Sequence, residues 1–405
     1  MSQRREEMNR RRNVVLGGGL LAAIALLGVA QARLDAVVST QTVQAPMFEV
    51  DPYWPKPIPN GWIYGNVIGV TVDAQDNVYI VHRGVTGDEA NGEGDAPLAA
   101  CCSSAPPVLQ FDPEGNLVRA WGGPVESGEY VWPNSNHGLG IDAMGNVWIG
   151  GNGGGDSHVL KFTADGQYLG TYGEPGQGRD SNSMTHYSQV ADIEFDFAAN
   201  EAYFADGYSN KRVAVVDIET GEIKRYWGAY GNRPIDNPTY EGDRRAGVGW
   251  SADNYQEQQF RNPVHCAEPS NDGLVYVCDR QNNRVQVFQT DGTYVREGYY
   301  APATLGDGAS WDLAFSPDPE QSFFYLADGK NSRIHIINRQ TMEEVSTLGT
   351  GGRYAGQFQA IHSIDTDSQG NIYATETYEG RRLHKFVYLG IGNAPRHQGA
   401  AWPSR

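Results

Sequence analysis

Three histidines head similar stretches of this chain: His137 in HGLGIDAMGNVWI, His265 in HCAEPSNDGLVYV and His362 in HSIDTDSQGNIYA. Each stands about five residues before a turn rich in Asp, Gly and Asn. Brought to one point, three imidazoles would hold a metal and leave a coordination position open for water or substrate. Arg83, Tyr208 and Arg280 follow the second strand-like run of the same pattern. A guanidinium grips a carboxylate in bidentate fashion, so the two arginines are candidate anchors for an acidic substrate. A tyrosine beside a metal or an arginine is a candidate acid or base, the role expected of Tyr208. The rest of the sequence reads as the scaffold that positions these residues.

From Met47 onward, units of 40 to 70 residues begin near residues 69, 137, 191, 265, 311 and 362, a period typical of repeat architectures. In each, two alternating apolar runs flank an Asp/Asn/Gly turn. A third run such as RVAVVDIETG or RVQVFQTDG follows, then a fourth such as YLGTYG, four strands per unit. Six such antiparallel units around an axis predict an all-β, six-bladed β-propeller. The last unit stops after RRLHKFVYLG, one strand short, and MFEVDPYWP ahead of the first unit is expected to close it. Closure removes the exposed sheet edges. The expected organisation is 1–32 signal peptide, 33–46 linker, 47–390 propeller and 391–405 a polar, frayed tail.

Aligned on the turn, one first-strand position is held in order by Ile68, His137, Ala191, His265, Trp311 and His362. Histidine therefore falls in blades two, four and six, about 120 degrees apart around the channel mouth. The loop after each second strand opens on the same face, which also places Arg83, Tyr208 and Arg280 there. DGYSNKR, DRQNNR and DGKNSR share an Asp…Asn…Arg pattern. Its Arg212, Arg284 and Arg333 read as ties between loop and sheet.

Fifty glycines in 405 residues and few long apolar helical patterns fit β-structure. The net charge of −18 repels nucleic acid and anionic membranes, so neither is an expected partner of the mature protein. Arg10, Arg11 and Arg12, an apolar run from Val14 and an Ala30-Gln31-Ala32 site form the pattern of a twin-arginine (Tat-like) signal peptide. Export to the periplasm or beyond is expected, with an N-terminal membrane anchor as the alternative. Cys266 and Cys278 are equidistant from Asp272 at a hairpin turn and are placed to form a disulfide. Cys101 and Cys102 could bond to each other, pair elsewhere or stay free.

The repeats resemble NHL repeats, and the set of candidate residues resembles the core of the peptidyl-α-hydroxyglycine α-amidating lyases. The likeness spans roughly residues 47–390 on the motifs VTVDAQDNVYIVHRG, NHGLGIDAMGNVWI, DGYSNKRV, NPVHCAEPSNDGLVYVCDRQNNRVQVF and IHSIDTDSQGNIY. The resemblance implies zinc on His137, His265 and His362, with Tyr208, Arg83 and Arg280 serving a peptide-derived hemiaminal substrate. It also implies a calcium in the channel, held by the backbone carbonyls of Val70 and Leu139 and by a carboxylate beside the third histidine. That last position is Ser363 here, and Ala360 stands where the family has a methionine.

The expected activity is that of a zinc-dependent lyase on a small carboxylate-bearing substrate. A metal-dependent lactonase or esterase is the alternative, kept open by Asp192 and Asp312, one position further along in blades three and five. A non-catalytic NHL binding propeller is the third possibility. Insertions at 85–107, 173–189 and 232–262 are expected over the histidine face, with Tyr240, Trp250, Tyr255 and Phe260 as a lid. His158 and His186 read as surface histidines.

Overall fold

The computed structural model describes residues 43–84, 101–237 and 257–403. The signal peptide and Tyr240, Trp250 and Tyr255 of the expected lid lie outside them. The alternating runs build six four-stranded antiparallel sheets. Their innermost strands are Val67–Val72, Asn136–Ile141, Val190–Asp196, Val264–Pro269, Asp312–Phe315 and Ile361–Thr366, arranged side by side around one axis. Apolar residues of adjacent sheets interleave in six clusters, one at each blade interface. Among the described residues no helix is long and apolar enough to cross a membrane.

The Asp/Gly/Asn turns have a common cause. Oδ1 of Asp73, Asp112, Asp142 and Asp367 accepts from the backbone N–H of Asn77, Asn116, Asn146 and Asn371 at 2.8–2.9 Å. Gly145 and Gly370 complete two of these turns at φ 79° and 87°, a conformation that costs a residue without Cβ little.

The ring closes as expected, with Val43–Asp51 antiparallel to Leu383–Ala394. The stretch beyond 390 departs from the expected frayed tail. The paired strand runs to Ala394, and the chain after it is tied across blades five and six. Thr347 N–H donates to Arg396 O (3.0 Å), Gly349 N–H to Gly399 O (2.7 Å) and Val50 N–H to Ala401 O (2.7 Å). Backbone partners, which side-chain polarity does not reveal, hold this segment in place.

Asp206 and Asp279 hold Arg212 and Arg284 through Nε at 2.8 Å, the expected ties. Arg333 departs from the pattern, its Nε facing Asn331 O at 3.5 Å. His335, two places along the strand and so on the same face, takes over. Its Nε2 meets Asp328 Oδ2 at 3.0 Å and its Nδ1 meets Glu344 Oε2 at 2.5 Å. Burial alone would lower the pKa of His335, but hydrogen bonds and charge from Asp328 and Glu344 outweigh it and raise the value to about 9. A raised folded pKa contributes its stability in full below the unfolded value near 6.5 and loses it as pH climbs through about 9. The effect is worth about 3 kcal/mol. Wild-type melting temperature is expected to fall between about pH 6.5 and 9.5, with His335→Gln starting lower and changing less. Equal slopes in thermal melts of the two proteins would remove the imidazolium as the cause.

Candidate active site

Each innermost strand carries one extra residue at the same place. Asn136 pairs with Gly151 but Leu139 with Ile149, Val264 with Asp279 but Ala267 with Val277, and Ile361 with Glu376 but Ile364 with Ala374. Two residues thus oppose one, a β-bulge, which bends the strand and re-aims its side chains. His137, His265 and His362 are the first residues of these bulges. Blades one and three bulge at Ile68 and Ala191, and in blade five Trp311 and Asp312 both meet Ala327. A bulged residue drops out of the ladder, so its carbonyl is free for another partner.

Those carbonyls orient the histidines. Nδ1–H of His137 donates to Ala191 O at 2.7 Å, that of His265 to Trp311 O at 2.5 Å and that of His362 to Ile68 O at 2.7 Å. A carbonyl only accepts, so Nδ1 carries the proton and Nε2 keeps its lone pair. Ring centroids lie 4.8–5.1 Å apart, and one ring nitrogen from each imidazole lies within 4.8 Å of the others. Tetrahedral zinc with bonds of about 2.0–2.1 Å needs nitrogens about 3.4 Å apart, within reach of small ring rotations. Burial holds all three imidazoles well below their usual pKa, and the charge of Arg280 adds to this, with that of Arg83 at His137 and His362. They are neutral, the form that binds a metal. The donor set fits a zinc-type ion.

Tyr208 Oη lies 2.9 Å from His137 Nε2 and 3.1 Å from His265 Nε2, and it accepts from Arg280 Nη1 at 3.1 Å. Arg280 also stacks over Trp311 at 4.4 Å. Arg83 is anchored beside the triad, with Nη2 donating to Asn152 Oδ1 at 2.8 Å and Nε to Asn136 O at 3.4 Å. It borders a cleft of about 660 Å³ lined by Pro107, Pro124 and Trp132. Asn66 Oδ1, Arg280 Nε and Ser310 Oγ are buried with no hydrogen-bond partner among the described residues. Such atoms are normally satisfied by water or a bound molecule.

Deeper in the channel lie Gly69, Leu139, Asp192, Asp312 and Ser363. Ser363 Oγ accepts from Val70 N–H at 3.2 Å, and Asp312 Oδ2 accepts from Ile364 N–H at 3.0 Å. Asp192, Glu194 and Glu268 bring carboxylate oxygens within 4.8 Å of one another. Burial pushes Asp192 and Asp365 up to about 7 and holds Asp312, Glu194 and Glu268 well above the carboxylate range, with repulsion between neighbours adding to it. Glu194, Glu268 and Asp365 are absent from the sequence-based site. All three stand three places after the aligned position, the one signal that could have found them.

Phe260 is not part of a lid: it is buried with Trp227, Val264 and Phe288. His158 is buried, with Nε2 on Val131 O at 2.7 Å, and His186 Nδ1 meets Ser183 Oγ at 2.9 Å, so neither joins the triad. Within the 173–189 insertion, Ser181 Oγ donates to Asp236 Oδ1 at 2.5 Å, joining it to the next. Cys266 is bonded to Cys278 and Cys101 to Cys102.

No family model matches the chain. Peptidyl-glycine α-amidating monooxygenase B of Xenopus laevis is 26% identical over 250 residues, covering 58% of this chain and 24% of that protein. The Rattus norvegicus enzyme is 25% identical over 332 residues, covering 78% and 30%. The chain is a six-bladed propeller that resembles the amidating enzymes. It spans about a quarter to a third of their length. NHL repeat-containing protein 3 of Mus musculus is 23% identical over 368 residues and is matched across 90% of this chain and 87% of its own. Among solved structures, a streptogramin B lyase aligns over 84% of this chain and 98% of its own with a TM-score of 0.49 and 12% identity, too distant to bear on the chemistry.

Proposed function

We propose that this chain is a zinc-dependent carbon–nitrogen lyase acting on carboxylate-bearing hemiaminals of the N-acyl-α-hydroxyglycine type. One observation carries the reading. Three neutral imidazoles, each anchored through Nδ1, turn Nε2 toward one point where the Tyr208 hydroxyl and Arg280 also arrive. The likeness to the amidating enzymes supports the substrate class. Export through the Tat-like signal, to the periplasm or beyond, is part of the same proposal.

Bound zinc would supply a Lewis acid for an oxygen of the substrate. Tyr208 takes the proton of the substrate hydroxyl and delivers one to the departing nitrogen. The carbon–nitrogen bond breaks with its electron pair going to nitrogen, and the hydroxyl oxygen becomes the aldehyde oxygen of glyoxylate. An amide is the other product, and neither water nor oxidant is consumed. Arg280 is engaged with Tyr208 and stabilises negative charge on that oxygen. Arg83, bordering the cleft, grips the carboxylate, so the arginines divide a task expected of both. Calcium on the carbonyls of Val70 and Leu139 would find no carboxylate at Ser363 and would draw on Asp192 or Asp312, which line the same space.

Those two aspartates also favour a second reading, hydrolysis of a lactone or ester. Incubation in oxygen-18 water separates the two. The expected products from an N-acyl-α-hydroxyglycine are glyoxylate and an unlabelled amide. A labelled carboxylate from an ester or lactone, with no amide from the hemiaminal, would replace the lyase with a hydrolase.

A further inference from the structure

Tyr378 occupies in blade six the place that Tyr208 occupies in blade three, two residues after the end of its second strand, Ile372–Glu376 against Glu201–Asp206. Three blades apart in a six-bladed ring is the opposite side of the mouth. Tyr208 meets the Nε2 atoms of His137 and His265, while the third histidine, His362, belongs to the same blade as Tyr378. The Tyr378 ring meets Trp311 edge-on at 6.5 Å and 89°, and Trp311 in turn lies 5.4 Å from His362 and 5.9 Å from His265. An aromatic corner therefore runs from solvent to the triad, with Arg280 stacked on its inner member.

The backbone holds Tyr378 there under strain. Its φ of 50° is a left-handed conformation, rare for a bulky side chain and concentrated at functional sites. The turn is pinned by Gly380 N–H donating to Thr377 O (3.0 Å) and Arg381 Nε to Tyr378 O (3.1 Å). The residue is 47% exposed, and no described residue hydrogen-bonds its hydroxyl. Burial and the charge of Asp307 raise its pKa, leaving a neutral donor.

We propose that Tyr378, backed by Trp311, is the substrate-contacting wall opposite Tyr208 and selects flat, aromatic acyl groups. The inference rests on the reading of the triad as the reaction centre. Cobalt-loaded full-length protein would report binding at that centre through its visible bands, with benzohydroxamic and acetohydroxamic acids as probes. In Tyr378→Ala, benzohydroxamate affinity is expected to drop about tenfold and acetohydroxamate affinity less than about twofold, since only the first reaches the aromatic corner. Tyr378→Phe should keep benzohydroxamate within about threefold. Equal affinities in wild type and Tyr378→Ala, or an equal loss for both probes, would overturn the proposal, as would a wild type that binds no cobalt or neither probe. Intact probe discrimination without turnover of any N-acyl-α-hydroxyglycine would sink the lyase reading and leave Tyr378 in place.

Discussion

His265→Ala is expected to lose its metal, carrying less than about a tenth of a zinc per chain against about one in the wild type, because affinity falls by more than about 100-fold when a coordinating imidazole goes. The substitution removes a third of the donor set, strips Trp311 O of its hydrogen bond and takes away one of the two imidazole nitrogens beside Tyr208. Turnover is expected to fall by at least about 1000-fold, the loss of a Lewis acid worth several kcal/mol. Elemental analysis of protein prepared without a metal-affinity tag, with activity measured on the same sample, checks both. Cys266, next in the chain, stays bonded to Cys278, so the strand is held at that point, and a thermal melt close to the wild type would separate metal loss from unfolding. Zinc retained at the wild-type level would remove the triad as its ligand set.

Tyr208→Phe is expected to lower kcat by about 100- to 1000-fold, the usual contribution of a positioned acid or base, with zinc content unchanged. Its ring would still fill the space beside His137, where the centroids are 4.6 Å apart. Arg280 would lose the oxygen to which it donates, so an excess of negative charge on a bound substrate would find Arg280 free. A KM unchanged or lowered beside the reduced kcat is therefore the signature of a lost proton-transfer group, measured by steady-state kinetics on an N-acyl-α-hydroxyglycine. Full activity in Tyr208→Phe would assign the proton transfer to another group.

The histidine register was legible because the Asp…Asn turn that aligns the units is itself a hydrogen-bonded device, with Asp142 holding Asn146 in blade two just as Asp367 holds Asn371 in blade six. What the turn cannot show is the bulge. An extra residue breaks the alternation of inward and outward side chains, so Glu194, Glu268 and Asp365, three places after the aligned position, share the channel with it although simple alternation from that position does not predict this. The bulge also frees the carbonyls of Ile68, Ala191 and Trp311, and no side-chain pattern marks a carbonyl as available. Arg333 misled because the motif around it matches its counterparts while His335, outside the motif, reaches Asp328. Phe260 misled because an aromatic residue in an inserted loop serves a core as well as a lid. Tyr378 escaped notice because TETYEGRR lacks the motif that made DGYSNKR conspicuous.

Closure of the ring by Val43–Asp51 on Leu383–Ala394 orders events during synthesis. Five of the blades are built from strands adjacent in sequence and can form from local hairpins as the chain lengthens. The sixth cannot, because its outer strand is made before the other strands of the propeller and waits for Leu383–Ala394 before it finds a partner. Contacts between such distant residues form slowly, and until they do Val43–Asp51 and Leu383–Ala394 each present an unpaired edge, a surface prone to association with other chains. Completion of the last blade thus gives both of those edges their partner and joins the first segment of the propeller to its last.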